Sequence, residues 1–274
     1  MVPSLSTLTC FKHIRKIVPI NAGLSSQCYQ VFADNNCFFA KKLTTKNEST
    51  VSLNTASQHI SPKVIYYDES WLITQFIDSE SLPLTQKTLD EKIIISIELM
   101  VKCHQLNLQP ATLQPEIIIN DLINQPHFSN QQKQTLLQQA KPILMSLNHT
   151  ENIVCCHGDV NFSNVLIENS NKAWLVDYEC AYNAPAEFDL AMFIAVNNIA
   201  DNKIPFIIEQ YKKRPPSLII DTTRLSSYLI FAYFINSLWY KNAYQSQRKN
   251  KQKLLTLHKQ QWKKFSQLSN SHAK

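Results

Sequence analysis

Polar side chains between residues 157 and 177 have types and spacings suited to phosphoryl transfer. His157-Gly158-Asp159 is followed by Asn164, five residues after Asp159, and by Asp177, thirteen residues after Asn164. In such reactions one carboxylate accepts the proton of an attacking hydroxyl, while an amide oxygen and a second carboxylate hold Mg²⁺ against nucleotide phosphates. The spacing therefore predicts Asp159 as the catalytic base and Asn164 and Asp177 as metal ligands.

The segments between these residues predict how they are brought together. Two short apolar runs, 165–167 and 173–176, flank the polar stretch 168–172. This pattern is typical of a tight hairpin. Asn164 then lies at the start of one strand and Asp177 at the end of the other, so both side chains are expected to face one cleft.

Three motifs carry a resemblance to a known superfamily. They are His157-Gly158-Asp159 with Asn164, then Asp177-Tyr178-Glu179, then Asp189-Leu190-Ala191. The chain resembles the aminoglycoside phosphotransferase, choline kinase and thiamine kinase superfamily, which has a protein-kinase-like fold. Bacterial thiamine kinase and choline kinase are the members it resembles most, over most of its length.

The resemblance implies an α+β bilobal fold. Residues 1–77 would form a small N-lobe, an antiparallel sheet with one helix, that binds the nucleotide. Residues 78–274 would form a larger, mainly helical C-lobe with the catalytic loop, the metal site and the acceptor pocket. ATP and Mg²⁺ are the cofactors implied.

The phosphate-binding loop is implied to lie at 21–26. Its backbone N–H groups, with the hydroxyls of Ser25 and Ser26, would cover the phosphates in place of a glycine-rich loop. The chain has only two glycines, Gly23 in this loop and Gly158 in the catalytic loop. Glycine is needed where backbone approaches a ligand or adopts a positive φ, so both positions fit a nucleotide site.

Other nucleotide contacts follow from the resemblance. Lys41 or Lys42 would bind the α- and β-phosphates. The family spacing favours Lys41, whereas the V-A-I-K motif, with an alanine two residues before the lysine, favours Lys42 because Ala40 stands at that position. Glu48 would pair with that lysine. Backbone groups from Gln75 to Ile77 would contact adenine.

Local patterns predict the elements of both lobes. Strands are expected within 14–43, including a hairpin of 28–32 with 37–41, followed by a helix at 47–58 and a second hairpin of 64–67 with 71–77. This gives a five-stranded sheet. From residue 78 the chain is expected to be helical, as at 89–106 and 130–147, apart from hairpins at 153–177.

The cysteines and the apolar segments of the chain favour a cytoplasmic location. The seven cysteines show no C-x-x-C or metal-ligand spacing, as expected of thiols in a reducing compartment. Basic residues interrupt the first apolar stretch, so no signal peptide is expected. The most apolar region, 225–240, is too short to span a bilayer comfortably and is interpreted as a core helix.

Charge is distributed unevenly along the chain. From residue 222 onward there are ten Lys and Arg and no Asp or Glu. The net charge of the whole chain is +6. A basic end can bind nucleic acid or an anionic membrane. However, apolar residues recur at helical spacing from Leu254 to Leu268, which favours an amphipathic helix packed on the C-lobe. Neither nucleic acid nor membrane is therefore expected as a partner.

Supporting roles are expected for three residues near the motifs. In the fold that the chain resembles, His157 holds the catalytic loop by hydrogen bonds instead of acting as a base. Asp189 is expected to brace the same loop. Glu179 has two possible roles, facing the acceptor pocket or fixing the metal-binding loop.

The acceptor is expected to be a small molecule. Only eleven residues separate Asp177 from Asp189, which leaves no room for the activation segment of a protein kinase. The D-x-E form at 177–179 is similar to that of choline and thiamine kinases, whose substrates are quaternary cations suited to aromatic faces. Aromatic side chains crowd the segment 228–240 and could form the walls of such a pocket, although core packing is the better explanation for most of them.

Thiamine is favoured slightly over choline, with ethanolamine next. The reasons are the likeness of 21–26 to the thiamine kinase loop and the layout of the chain from Trp239-Tyr240 through Trp262. An aminoglycoside-type antibiotic phosphotransferase and a non-catalytic kinase-like binding protein with a basic C-terminal helix are the alternatives. Oligomeric state and preference for ATP over GTP stay open.

Overall fold

A computed structural model describes most of the chain. It covers residues 3–20, 27–45, 47–147, 151–215, 218–247 and 250–272. The predicted phosphate-binding loop, with Gly23, Ser25 and Ser26, lies outside the described residues.

The N-terminal region is built on a five-stranded antiparallel sheet in the order β1-β2-β3-β5-β4. Its strands are β1 (Ile14–Ile20), β2 (Cys28–Ala33), β3 (Asn36–Lys42), β4 (Val64–Tyr67) and β5 (Trp71–Gln75). Asp34 and Asn35 connect β2 to β3 with φ values of +49° and +61°. Two consecutive positive φ angles match the right-handed twist of a hairpin, and Asp and Asn tolerate them. Both predicted hairpins are confirmed.

Two helices accompany this sheet, where one was predicted. The predicted helix is α2 (Asn47–Ser57), which places Glu48, Val51 and Thr55 on its buried face. A one-turn helix, α1 (Pro3–Ser6), precedes β1 and buries Leu5 among the apolar side chains on one face of the sheet. Four residues are too few for helical periodicity to show in a sequence.

The C-terminal region is mainly helical. Its helices are α3 (Leu89–His104), α4 (Pro115–Ile123), α5 (Asn130–Ser146), α6 (Ala186–Val196), α7 (Ile204–Lys212), α8 (Thr222–Ser246) and α9 (Lys251–His272). Helix α6 is buried from Ala186 to Ala195 and α8 over most of 224–238, so both belong to the core. The predicted amphipathic helix is α9, which packs Phe265 against Phe234 of α8 with ring centroids 4.9 Å apart.

Short strands between the helices hold the catalytic segments. They are β6 (Ser79–Ser81), β7 (Ile153–Cys156), β8 (Val165–Glu168), β9 (Ala173–Leu175) and β10 (Tyr182–Pro185). The predicted β8–β9 hairpin is confirmed. The expectation of helix everywhere else was wrong at β6 and β10, which pair with β8 and β7. Three- and four-residue strands depend on tertiary partners and leave little pattern in the sequence.

The small sheet region and the larger helical region form the two lobes of a protein-kinase-like fold, as predicted. The chain passes between them after β5, and the boundary at residues 77 and 78 stays a prediction. Among the described helices, none is both long and apolar enough to cross a membrane.

Candidate active site

Gly158 shapes the catalytic loop that follows β7. Its φ is +77°, and a Cβ atom there would lie 2.1 Å from the backbone oxygen of Cys180. The close approach joins the catalytic loop to the segment after Asp177. Glycine is required because any side chain would both strain the backbone and separate the two segments.

Replacing Gly158 by Ala is expected to destabilise the protein by more than the roughly 1 kcal/mol of a strained backbone alone. The matched control is Asn171→Ala in an exposed turn, where φ is +64° and a Cβ atom is already accommodated. Denaturant unfolding of both variants measures the difference. Equal losses of stability in the two variants would contradict the role of close packing.

Asp159 is held by two asparagine side chains. Asn161 Nδ2 lies 3.1 Å from both carboxylate oxygens, and Asn164 Nδ2 lies 3.0 Å from Oδ2. Burial raises the pKa of Asp159 to about 7, and the negative charge of Asp177 acts in the same direction, while the two asparagines oppose the shift. The site therefore holds a carboxyl group whose proton affinity suits a general base near neutral pH.

His157 and Asp189 brace the loop from behind, as the sequence predicted. The backbone N–H groups of His157 and Gly158 donate to Asp189 at 2.9 and 2.8 Å. The His157 ring lies 3.0 Å from the backbone oxygen of Val176. The other ring nitrogen, Nδ1, accepts from the backbone N–H of Asp159 at 3.1 Å. Since His157 is buried and both ring nitrogens contact the backbone of this region, its position is structural.

Asp189 is also bonded to His104, which sequence reasoning missed. His104 Nε2 lies 2.9 Å from Asp189 and its Nδ1 lies 2.7 Å from the hydroxyl of Tyr211. This buried chain connects α3 and α7 to the catalytic loop. His104, Cys156 and Asp189 are near enough to resemble a metal site, but the hydrogen bonds already account for both ring nitrogens of His104.

Lys41 is the centre of a cluster of carboxylates contributed by both lobes. Its Nζ lies 2.7 Å from Glu48 of α2 and 3.0 Å from Glu179, and it also pairs with Asp177. Burial alone would lower the pKa of Lys41, but the charges of Asp177, Glu48 and Glu179 outweigh burial and raise it. Lys41 is therefore a buried, permanently charged group.

The orientation of β3 distinguishes Lys41 from Lys42. Ala40 faces the apolar cluster that includes Leu5, so Lys41 on the opposite face points to α2 and the cleft. Side chains alternate along a strand, which puts the exposed Lys42 on the same side as Ala40. Lys41 is thus the lysine at the site.

The donor set at Asp177 fits Mg²⁺. Oxygen atoms of Glu48, Asp177 and Glu179 all lie within 4.8 Å of one another, and Mg²⁺ prefers carboxylate oxygens. The Asn164 amide nitrogen donates to Asp159, so its oxygen is the atom that remains to act as a ligand. Asp177 itself has a φ of +74°, a strained conformation that is common at functional sites.

The predicted adenine-binding segment lies at the end of β5. The N–H groups of Gln75 and Phe76 donate to the backbone oxygens of Lys63 and Cys37 at 2.8 and 3.3 Å. Gln75 is exposed and Ile77 is buried. Since the two preceding N–H groups are used by protein partners, Ile77 is the candidate backbone donor to a base.

The sequence model of the choline/ethanolamine kinase family matches residues 39–270. This chain belongs to that family. The match spans the lysine strand, the catalytic loop, the Asp177 segment and helix α9. A search of curated proteins finds no match to the chain.

Solved structures support the fold of this choline/ethanolamine kinase family member. A choline kinase from Streptococcus pneumoniae is 14% identical, with a TM-score of 0.74 over 93% of this chain and 95% of that chain. A Plasmodium vivax ethanolamine kinase is 12% identical, with a TM-score of 0.68 over 92% and 82% of the two chains. An AMP-bound spectinomycin phosphotransferase is 17% identical, with a TM-score of 0.61 over 94% and 92%.

Family membership makes the chain a small-molecule phosphotransferase, and the family implies ATP as the phosphoryl donor. Of the aromatic residues in α8, Tyr228, Phe231, Tyr233 and Phe234 are fully buried and belong to the core. They do not supply pocket walls, which agrees with the core-packing interpretation.

Tyr240 differs from those core residues. It is half-buried, and burial together with the negative charge of Asp159 raises its pKa to about 12. Its ring packs edge-on against Trp239 at 5.3 Å between centroids. Tyr240 is therefore an aromatic residue of α8 that lies outside the fully buried core and is affected by the charge of Asp159.

Proposed function

We propose that this protein transfers the γ-phosphoryl group of ATP, with Mg²⁺, to the hydroxyl of a small alcohol that carries a cationic nitrogen. The observation that carries the proposal is the convergence of Lys41, Glu48, Asp177 and Glu179 beside a loop in which Asp159 is held by two amides. This convergence joins a phosphate-binding cation, oxygen ligands for a metal and a base.

Each residue has a distinct task in this proposal. Asp159 orients the acceptor hydroxyl and accepts its proton. Lys41, held by Glu48, binds the α- and β-phosphates. Asn164 and Asp177 hold Mg²⁺, which when bound neutralises phosphate charge.

Two further segments complete the nucleotide site. One is the loop 21–26 with Gly23, Ser25 and Ser26, which lies outside the described residues and which the sequence predicts as the phosphate-binding loop. The other is the backbone from Gln75 to Ile77, which would contact the base. The buried ion pair of Lys41 and Glu48 orders the lysine before the nucleotide arrives, which reduces the entropy lost on binding.

The cationic nature of the acceptor rests on the groups around Asp159. Tyr240 is half-buried, burial and the negative charge of Asp159 raise its pKa, and its ring is proposed to contact the cation. Aromatic faces and carboxylates together favour a desolvated cation over a neutral alcohol.

Choline and ethanolamine are the acceptors that the family description names. Thiamine, which the sequence favoured slightly, stays a prediction, because its main support is the loop 21–26 outside the described residues. An aminoglycoside needs a broad acidic surface for its several amines. The C-terminal helix that ends this lobe is instead basic, which disfavours such an acceptor.

The acceptor is tested by measuring kcat/KM for ATP consumption with thiamine, choline, ethanolamine and kanamycin. We expect the small cations to be preferred to kanamycin, with thiamine first. A clear preference for kanamycin, or for an uncharged alcohol outside the panel, would contradict the cation pocket and leave the phosphotransferase assignment intact.

Replacing Tyr240 by Leu is expected to raise KM for the cationic acceptor about 2- to 30-fold, the range that corresponds to a cation–π contact of about 0.5–2 kcal/mol. KM for Mg-ATP should barely change. Tyr244→Leu, one turn further along α8, is the matched control. A rise in KM for ATP as large as that for the acceptor would show that Tyr240 supports the whole site and not the cation.

A cytoplasmic location is also proposed. All seven cysteines are free thiols, and four of them are buried, as expected of a protein that stays in a reducing compartment.

A further inference from the structure

Hydrogen bonds from the side chains of Asn161 and Asn197 hold the catalytic loop, and Asn161 lies within the loop. Asn161 Oδ1 accepts from the backbone N–H groups of Ser163 and Asn164 at 2.8 and 3.2 Å. Since a backbone N–H can only donate, the amide oxygen must face these groups. The amide nitrogen is then obliged to face Asp159, where it lies 3.1 Å from both carboxylate oxygens.

The second asparagine reaches the loop from the end of α6. Asn197 Oδ1 accepts from Phe162 N–H at 2.8 Å, and its Nδ2 lies 3.0 Å from the backbone oxygen of Val160. These two bonds are made on either side of Asn161. Helix α6 is buried from Ala186 to Ala195, so Asn197 is presented by a rigid element.

We propose that Asn161 is a positioning residue for Asp159, alongside the Asn164 amide that contacts one carboxylate oxygen, and that Asn197 acts in series by fixing the backbone on both sides of Asn161. The inference rests on the proposed function, in which Asp159 receives the acceptor proton. A carboxylate on a single bond can rotate, whereas a base must lie within hydrogen-bond reach of the hydroxyl it serves. One amide group contacting both oxygens fixes the plane of the carboxylate.

The simpler alternative is that Asn161 only caps the 3₁₀ turn at Phe162–Asn164. Asn161→Ser separates the two roles, because serine also caps a helical turn but has no amide to donate to both oxygens. We expect kcat to fall about 10- to 100-fold, the scale of effects that follow from misplaced reacting groups. KM for Mg-ATP should stay within about twofold, since uniform binding is not affected. Unchanged kcat would mean that Asn161 is only a cap.

A double-mutant cycle tests whether the two asparagines act in series. Asn197→Ala is expected to lower kcat in the same way, and Asn161→Ser with Asn197→Ala should lie within about threefold of the worse single variant, because residues acting through one another are not additive. If the reductions in kcat of the two single variants multiply in the double variant, the two asparagines do not act in series. Asn198→Gly, at an exposed position with a φ of +49°, is the control.

A readout without acceptor separates this inference from the proposed function. The side-chain amide NMR signals of Asn161, assigned by their loss in Asn161→Ser, should shift in Asp159→Ala and in Asn197→Ala but not in Asn198→Gly. If the Asn161 amide signals keep their chemical shifts in Asn197→Ala, the series arrangement is wrong. Shifted signals in an enzyme that phosphorylates none of the panel would contradict the proposed acceptor class and leave the positioning contact intact.

Discussion

Replacing Asp159 by Asn is expected to reduce phosphotransfer by about 10²- to 10⁴-fold, the usual contribution of a positioned general base. An amide can accept a hydrogen bond from the acceptor but cannot take its proton. Mg-ATP binding should be largely retained, because the proposed metal ligands and Lys41 are unchanged. The expected result is thus a loss in kcat without a matching loss in nucleotide affinity.

Turnover with the preferred acceptor and calorimetric titration with Mg-ATP measure the two quantities. Asp201→Asn is the matched control, since this carboxylate pairs with Lys264 at the surface of the C-lobe. Turnover of Asp159→Asn within a few-fold of the unmodified enzyme would reject Asp159 as the base.

Replacing Asp177 by Ala is expected to remove most Mg²⁺-dependent nucleotide binding. The loss should be at least the roughly 10- to 100-fold change typical of groups that support a metal site. The structure adds a second expectation. Asp177 is one of three carboxylates that pair with Lys41, so its removal leaves less negative charge beside the lysine, and affinity for ATP in the presence of a chelator should be retained or improved.

Calorimetric titrations of Asp177→Ala with ATP, with and without Mg²⁺, test both expectations, with Asp201→Ala as control. Unchanged affinity for Mg-ATP would mean that the metal is held by other residues. An equal loss of affinity with and without Mg²⁺ would indicate a collapsed cleft instead of a missing ligand.

The chemistry of the site could be predicted from the sequence because its parts are local. The spacing from Asp159 to Asn164 and the apolar runs before Asp177 are set by one loop and one hairpin, and the hairpin is observed as β8 and β9. The amphipathic pattern of α9 likewise identified a surface helix packed on the core. These features depend on neighbours in the chain, so a linear pattern records them.

The choice between Lys41 and Lys42 was left to the tertiary structure. Alternation along a strand shows that the two lysines face opposite sides, but only the packing of α2 over one face of the sheet decides which side is the cleft. Glu179 was undecided for the same reason. Its carboxylate lies 3.0 Å from a lysine 138 residues earlier in the chain.

The aromatic residues of α8 show the same limit. Helical spacing identified a crowded apolar segment, but burial assigns Tyr228 and Phe234 to the core and leaves Tyr240 only half-buried. Asn161 and Asn197 carried no signal, since asparagine is common in this chain and Asn197 lies 36 residues after Asn161. Their function depends on which backbone groups lie within hydrogen-bond distance, and only the folded loop, brought against the end of α6, determines that.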